Sequence, residues 1–176
     1  LNFLGNLDIN FLIISWRGYS LSDGKPTEDG LYKDAKTAVN FLLNKGVLEQ
    51  DIILYGESLG TAVAVEIGQN KDFAGIILEA PFTSMIELGQ KHYPFFPVKF
   101  LLKDKYESVK KIKNLKSPLL VMHGKKDKIV PFYMGEKIFN MGNNPKFKYF
   151  TDMDDHMMNF DEELINEIDL FISSLN

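Results

Sequence analysis

Ser58 stands at the centre of Gly56-Glu57-Ser58-Leu59-Gly60, directly after the apolar run Ile52-Ile53-Leu54-Tyr55 and directly before a helical run. A serine on a sharp strand-to-helix turn projects its hydroxyl off the sheet, and the helix N-terminus behind it offers the Leu59 N–H to an oxyanion. Glycine is expected two residues to either side because a Cβ there would meet neighbouring backbone. A helix-capping serine fits the same pentapeptide without any chemistry. As a nucleophile, an alcohol needs a base, and the base needs an orienting acid. The sequence holds three histidines. His156 lies in the loop after the last predicted strand and is the expected base. His123 closes a strand ahead of Gly124 and reads as structural, bonded to backbone, while His92 falls in an aromatic-rich insertion. The acid is expected from the loop after His123, at Asp127. The order Ser58, Asp127, His156 is the chain order of serine enzymes built on a strand–turn–helix elbow. Asp152, Asp154 and Asp155 beside His156 also suggest a metal site. A solvated loop, with one acid capping the last helix, is the preferred reading, and neither metal nor cofactor is expected.

Strands and helices must alternate to place these groups. Near-continuous apolar runs at 9–15, 51–55, 74–78, 118–122 and 146–150 read as about five parallel strands covered on both faces. Helical spacing recurs at 31–42, with Gly46 as its C-cap, and at 61–69, 132–141 and 160–175. The class is α/β, a mostly parallel sheet flanked by helices. Residues 83–117 exceed an ordinary crossover and carry Phe95, Phe96 and Phe100, with Pro94 and Pro97 limiting helix formation. An insertion at the carboxyl ends of strands reads as a lid contacting substrate, although its aromatics also suit packing on the sheet.

The 176 residues form one domain, 1–176, with 45% hydrophobic and 25% charged residues, a globular composition. Cysteine is absent, which removes thiolate nucleophiles, thiolate-bound zinc and disulfide scaffolds and fits a reducing, cytoplasmic setting. A net charge of -4 offers no basic field to nucleic acid. No apolar run approaches the roughly 20 residues of a membrane span. The chain does not begin with Met, so upstream residues are expected.

Further segments carry a resemblance. Arg17-Gly18-Tyr19-Ser20-Leu21-Ser22, the run from Pro26 to Ala35, the Ser58 elbow, Glu79-Ala80-Pro81-Phe82-Thr83-Ser84 and the stretch around Asp127 resemble the α/β-hydrolase superfamily, and within it the ABHD-type serine hydrolases. The departures are Ser15 where Asp usually precedes the arginine, Ser20 for Gly, and Met157-Met158 after the histidine. Arg17 reads as an ion-paired structural residue, with Ser15 removing one possible partner. The resemblance implies eight strands in the order 1-2-4-3-5-6-7-8, of which 9–15 matches the fourth. Three strands, and the His-Gly loop that gives the second oxyanion N–H, are then expected outside this chain, in an upstream segment or a second copy that completes the sheet. It also implies an ester or thioester hydrolase using Ser58, His156 and Asp127, with the Leu59 N–H at the oxyanion and Phe95, Phe96 and Phe100 against an acyl chain. A serine peptidase and a non-catalytic binding remnant are the alternatives.

Overall fold

The computed structural model describes residues 9–19 and 22–175. Four strands, β1 (Ile53–Glu57), β2 (Gly75–Glu79), β3 (Leu119–Gly124) and β4 (Lys146–Thr151), form one sheet in the order β1-β2-β3-β4. Every pairing is parallel. All four carboxyl ends therefore lie along one edge of the sheet, where the loops holding Ser58, Asp127 and His156 begin.

Helix α1 (Glu28–Asn44) precedes β1, α2 (Leu59–Gly68) and α6 (Phe132–Met141) lie in crossovers, and α7 (Glu162–Ser173) follows β4. Thr27 caps α1 by accepting the Gly30 N–H at 3.2 Å, with Glu28 and Asp29 in the first turn, where acids suit the positive helix end. Lys45 caps its other end, and Gly46 follows at φ +89°. The acid that caps α7 is Asp161, which accepts from Leu164 at 3.0 Å; none of Asp152, Asp154 and Asp155 does so.

Burial explains the run patterns. β2 and β3 are buried at every position, whereas the outer strands are only partly so. On one face Ile76, Leu78, Leu119 and Val121 pack with Val65 of α2 and Ile138 of α6. On the other, Ile77, Leu120 and Met122 meet Leu164, Ile168 and Phe171 of α7. A third cluster joins Leu31 and Ala35 of α1 to Ala62 and Val63 of α2 and Met134 of α6.

One expected strand is absent among the described residues. Residues 9–15 form no ladder, so the sheet has four strands rather than about five. An apolar run becomes a strand only where a neighbour takes up its backbone groups, and among the described residues β1 pairs only with β2. Phe11, Leu12 and Ile13 are exposed, while Ile14 and Trp16 lean on the third cluster.

The insertion consists of three short helices, α3 (Met85–His92), α4 (Val98–Leu101) and α5 (Ser108–Lys111), and a 3-10 turn at Ile112–Asn114. Pro94 and Pro97 lie between α3 and α4, as their effect on helices requires. Val98, Tyr106 and Ile112 anchor the segment in buried positions.

Ile76, fully buried in the central strand, tests this core. Ile76→Ala should lower stability by about 2–5 kcal/mol in equilibrium urea unfolding. A loss below about 0.5 kcal/mol would mean that the two-faced core is misdescribed.

Candidate active site

Ser58 occupies the single residue between β1 and α2, at φ 48° and ψ -113°. A positive φ at a residue with a Cβ costs on the order of 1–3 kcal/mol, and packing must hold it there. The hold is visible at Gly56, where a Cβ would lie 2.4 Å from the Gly60 carbonyl oxygen and 2.8 Å from Thr61 Cα. Gly60 differs: a Cβ there meets nothing within 4 Å, so the expected need for glycine applies only at Gly56. The Ser58 N–H donates to the Glu79 carbonyl oxygen at 2.9 Å, tying the turn to β2. Leu59, first in α2, keeps an N–H without an intrahelical acceptor.

His156 arrives from the loop after β4. Its Nε2 lies 3.0 Å from Ser58 Oγ, and its Nδ1 lies 2.8 Å from Asp127 Oδ2. A carboxylate only accepts, so Nδ1 carries the proton and Nε2 accepts from the serine. Clearance sets this loop too. A Cβ at Gly124, the last residue of β3, would fall 2.3 Å from the Asp154 carbonyl oxygen and 2.5 Å from that of Asp155. Asp154 is buried and accepts from Asn159 Nδ2 at 2.6 Å, closing the loop on itself. Among the described residues no cluster of acids and histidines is arranged to hold a metal ion.

Asp127 is fully committed. Its Oδ1 accepts the N–H groups of Ile129 and Val130, each at 2.8 Å, and Oδ2 faces both His156 and His123, the latter at 3.2 Å. Burial pushes its pKa up, but hydrogen bonds from His123, His156, Val130 and Ile129 outweigh that and hold the carboxyl far below its usual range. The hydrogen bond to Asp127 raises His156 above its ordinary value, against the lowering effect of burial. His123, fully buried, shares its Nε2–H between the Val130 carbonyl at 2.9 Å and Asp127 Oδ2 at 3.2 Å, a backbone-bonded place. His92 donates from Nε2 to the Ile129 carbonyl at 2.7 Å, joining the insertion to the Asp127 loop.

A cleft of about 650 Å3 lies beside His156, lined by Ile129, Met153 and Met157, with Lys126 and Lys128 also on its wall. Phe95, Phe96 and Phe100 do not line it; they project into solvent. Arg17 finds its partner in Asp34, with Nη2 to Oδ1 at 2.6 Å, rather than at position 15.

One buried group escaped the sequence reading. The Glu79 carboxylate, buried at the end of β2, takes a hydrogen bond from the Tyr55 hydroxyl. Burial raises its pKa, and its charge in turn favours protonated His156. Tyr55 pairs with Ile77 across the ladder, so Glu79 is its diagonal neighbour on the same face. That register is the only signal that links them, and the sequence does not display it.

A parallel sheet with helices on both faces and a strained serine at a strand-to-helix turn is an α/β-hydrolase. The chain belongs to the prolyl oligopeptidase family, which matches residues 15–169. It is 38% identical over 144 residues to an uncharacterized protein of Mycobacterium tuberculosis, covering 81% of this chain and 51% of that protein. It is 31% identical over 144 residues to human alpha/beta hydrolase domain-containing protein 17B, covering 79% and 47%. The chain thus spans about half the length of these curated relatives. Among solved structures, an esterase of Pyrococcus furiosus superposes with a TM-score of 0.77 at 19% identity, covering 98% of this chain and 72% of that one. An esterase of Rhodococcus gives 0.71 at 18% identity, covering 100% and 85%. At these identities the two structures establish the fold alone.

The two elbow glycines give a direct contrast. Gly56→Ala should lose about 1–3 kcal/mol or more in urea unfolding, because two backbone segments must part, whereas Gly60→Ala should stay within about 0.5 kcal/mol. Equal losses at both positions would contradict the clearance account of the turn.

Proposed function

We propose that the chain supplies the acid–base–nucleophile set of a serine hydrolase acting on an ester or thioester. The observation that carries the reading is the unbroken path Ser58 Oγ, His156 Nε2, His156 Nδ1, Asp127 Oδ2, with separations of 3.0 and 2.8 Å. In this reading His156 Nε2 takes the Ser58 proton as Oγ bonds to the acyl carbon. The oxygen that gains charge faces the Leu59 N–H. The protonated imidazole, held in orientation by Asp127, then gives its proton to the departing alcohol or thiol. Water repeats the sequence on the acyl-serine and restores the hydroxyl.

The exposed apolar side chains of Ile129, Met153 and Met157 around His156 favour a substrate with an apolar part at the reacting centre. A peptide bond is the second reading, favoured by the family match, and it uses the same steps with an amine leaving group.

The pH dependence has a definite sign. His156 serves as base only when neutral, and its raised pKa means that kcat/KM climbs with pH through a value above that of an ordinary histidine. Asp127→Asn removes the acceptor that fixes the tautomer and should lower kcat by on the order of 10⁴-fold, the loss that the same exchange causes in serine proteases. A fluorophosphonate probe should label the protein once, at Ser58, and Ser58→Ala should neither label nor hydrolyse a p-nitrophenyl ester. Labelling that persists in Ser58→Ala removes the nucleophile assignment, and an unlabelled native protein favours a binding remnant. Faster turnover of peptide than of ester substrates selects the peptidase.

A further inference from the structure

The end of the insertion turns its largest apolar groups outward. Phe95 and Phe100 are 97% and 85% exposed, and Tyr93, Phe96 and Leu101 are each more than half exposed. Burying them internally is prevented by a built turn. Val98 of α4 is buried against Gly89 of α3, where a Cβ would meet it at 2.9 Å. Gln90 Nε2 donates to the Pro94 carbonyl at 2.9 Å, and the Tyr93 and Phe96 rings meet edge to face at 6.3 Å. The short helix thus turns Val98 inward and Phe100 and Leu101 outward. Several large apolar groups left exposed on one short segment of a folded surface mark an interaction site.

The charge around it differs from that of the chain. Lys91, Lys99, Lys103 and Lys105 are exposed within this one segment, and none pairs with a described carboxylate. The single acid among them, Asp104, is turned to the N–H of Glu28 at 2.8 Å. The whole chain carries -4. We propose that this aromatic tip and the four exposed lysines of its segment bind the surface of an anionic lipid bilayer, with Phe95 and Phe100 inserted among the acyl chains and the lysines at the headgroups.

Aromatic side chains flanked by lysines match the bilayer interface, where apolar groups enter by about 5–10 Å and basic groups meet anionic headgroups. A second copy of this chain fits less well, since a two-fold contact through the tip would set the same lysines against each other. No helix among the described residues is long and apolar enough to cross a membrane.

The test is sedimentation of the protein with vesicles of phosphatidylcholine alone and of phosphatidylcholine and phosphatidylserine in equal parts. The native chain should pellet with the mixed vesicles, several-fold less with phosphatidylcholine, and less again as salt is raised. Phe95→Ser/Phe100→Ser should bind at least about 10-fold more weakly, with unchanged circular dichroism and thermal melting, because both side chains are solvent-exposed. Phe95→Trp should show blue-shifted emission on vesicle addition and quenching by brominated acyl chains. Ser58→Ala should bind like the native protein, so this inference and the hydrolase reading stand or fall separately. Equal pelleting of the double serine variant, an unshifted emission from Phe95→Trp, or no binding to either vesicle overturns the proposal. So does a native dimer that the double variant converts to monomer without any vesicle binding, which would assign the tip to a second copy.

Discussion

The site depends on two places where backbone passes backbone with no room for a side chain. At Gly56 the strand leading to Ser58 lies against the first turn of α2, and at Gly124 the end of β3 lies against the carbonyls of Asp154 and Asp155. The first crossing forces the chain through a positive φ at Ser58, and the second brings the His156 loop in over the sheet edge. Neither crossing involves the side chains of Ser58 and His156. Each sets where one of these side chains must stand, and a 3.0 Å approach between Ser58 and His156 tolerates little error in either.

Electrostatics then fixes orientation. Asp127 is buried, which alone would favour the neutral acid, yet four donors surround it and keep it charged. That charge holds the His156 proton on Nδ1 and leaves Nε2 open to the serine. Glu79 is a second buried carboxyl near the same histidine, and its charge adds to that of Asp127 in favouring protonated His156. The tyrosine that completes this arrangement comes from β1, the strand that delivers Ser58.

Much of this was legible in the sequence wherever a motif is tied to a strand end. The glycine–serine pentapeptide after an apolar run, an aspartate after the next-to-last strand and a histidine after the last all concern loops at one edge, and parallel connectivity alone brings such loops together. What was not legible depends on neighbours. Residues 9–15 have the composition of a strand but no described partner, and pairing is a property of two segments. Gly60 matches the motif yet faces open space, which only the path of α2 reveals. Arg17 with Asp34 and Tyr55 with Glu79 are contacts fixed by helix placement and sheet register, and no spacing along the chain encodes them.

The peptide group between Ile129 and Val130 has partners on both sides. Its N–H is given to Asp127 Oδ1 at 2.8 Å, and its carbonyl receives the His92 ring of α3 at 2.7 Å. A peptide unit is a rigid plane, so it turns as one piece, and a bond on its oxygen polarises the N–H on its other side. The insertion and the acid are thereby connected in series like two arms of a lever on one pivot. Any force that tilts α3 reaches the carboxylate that orients His156 after crossing a single planar group.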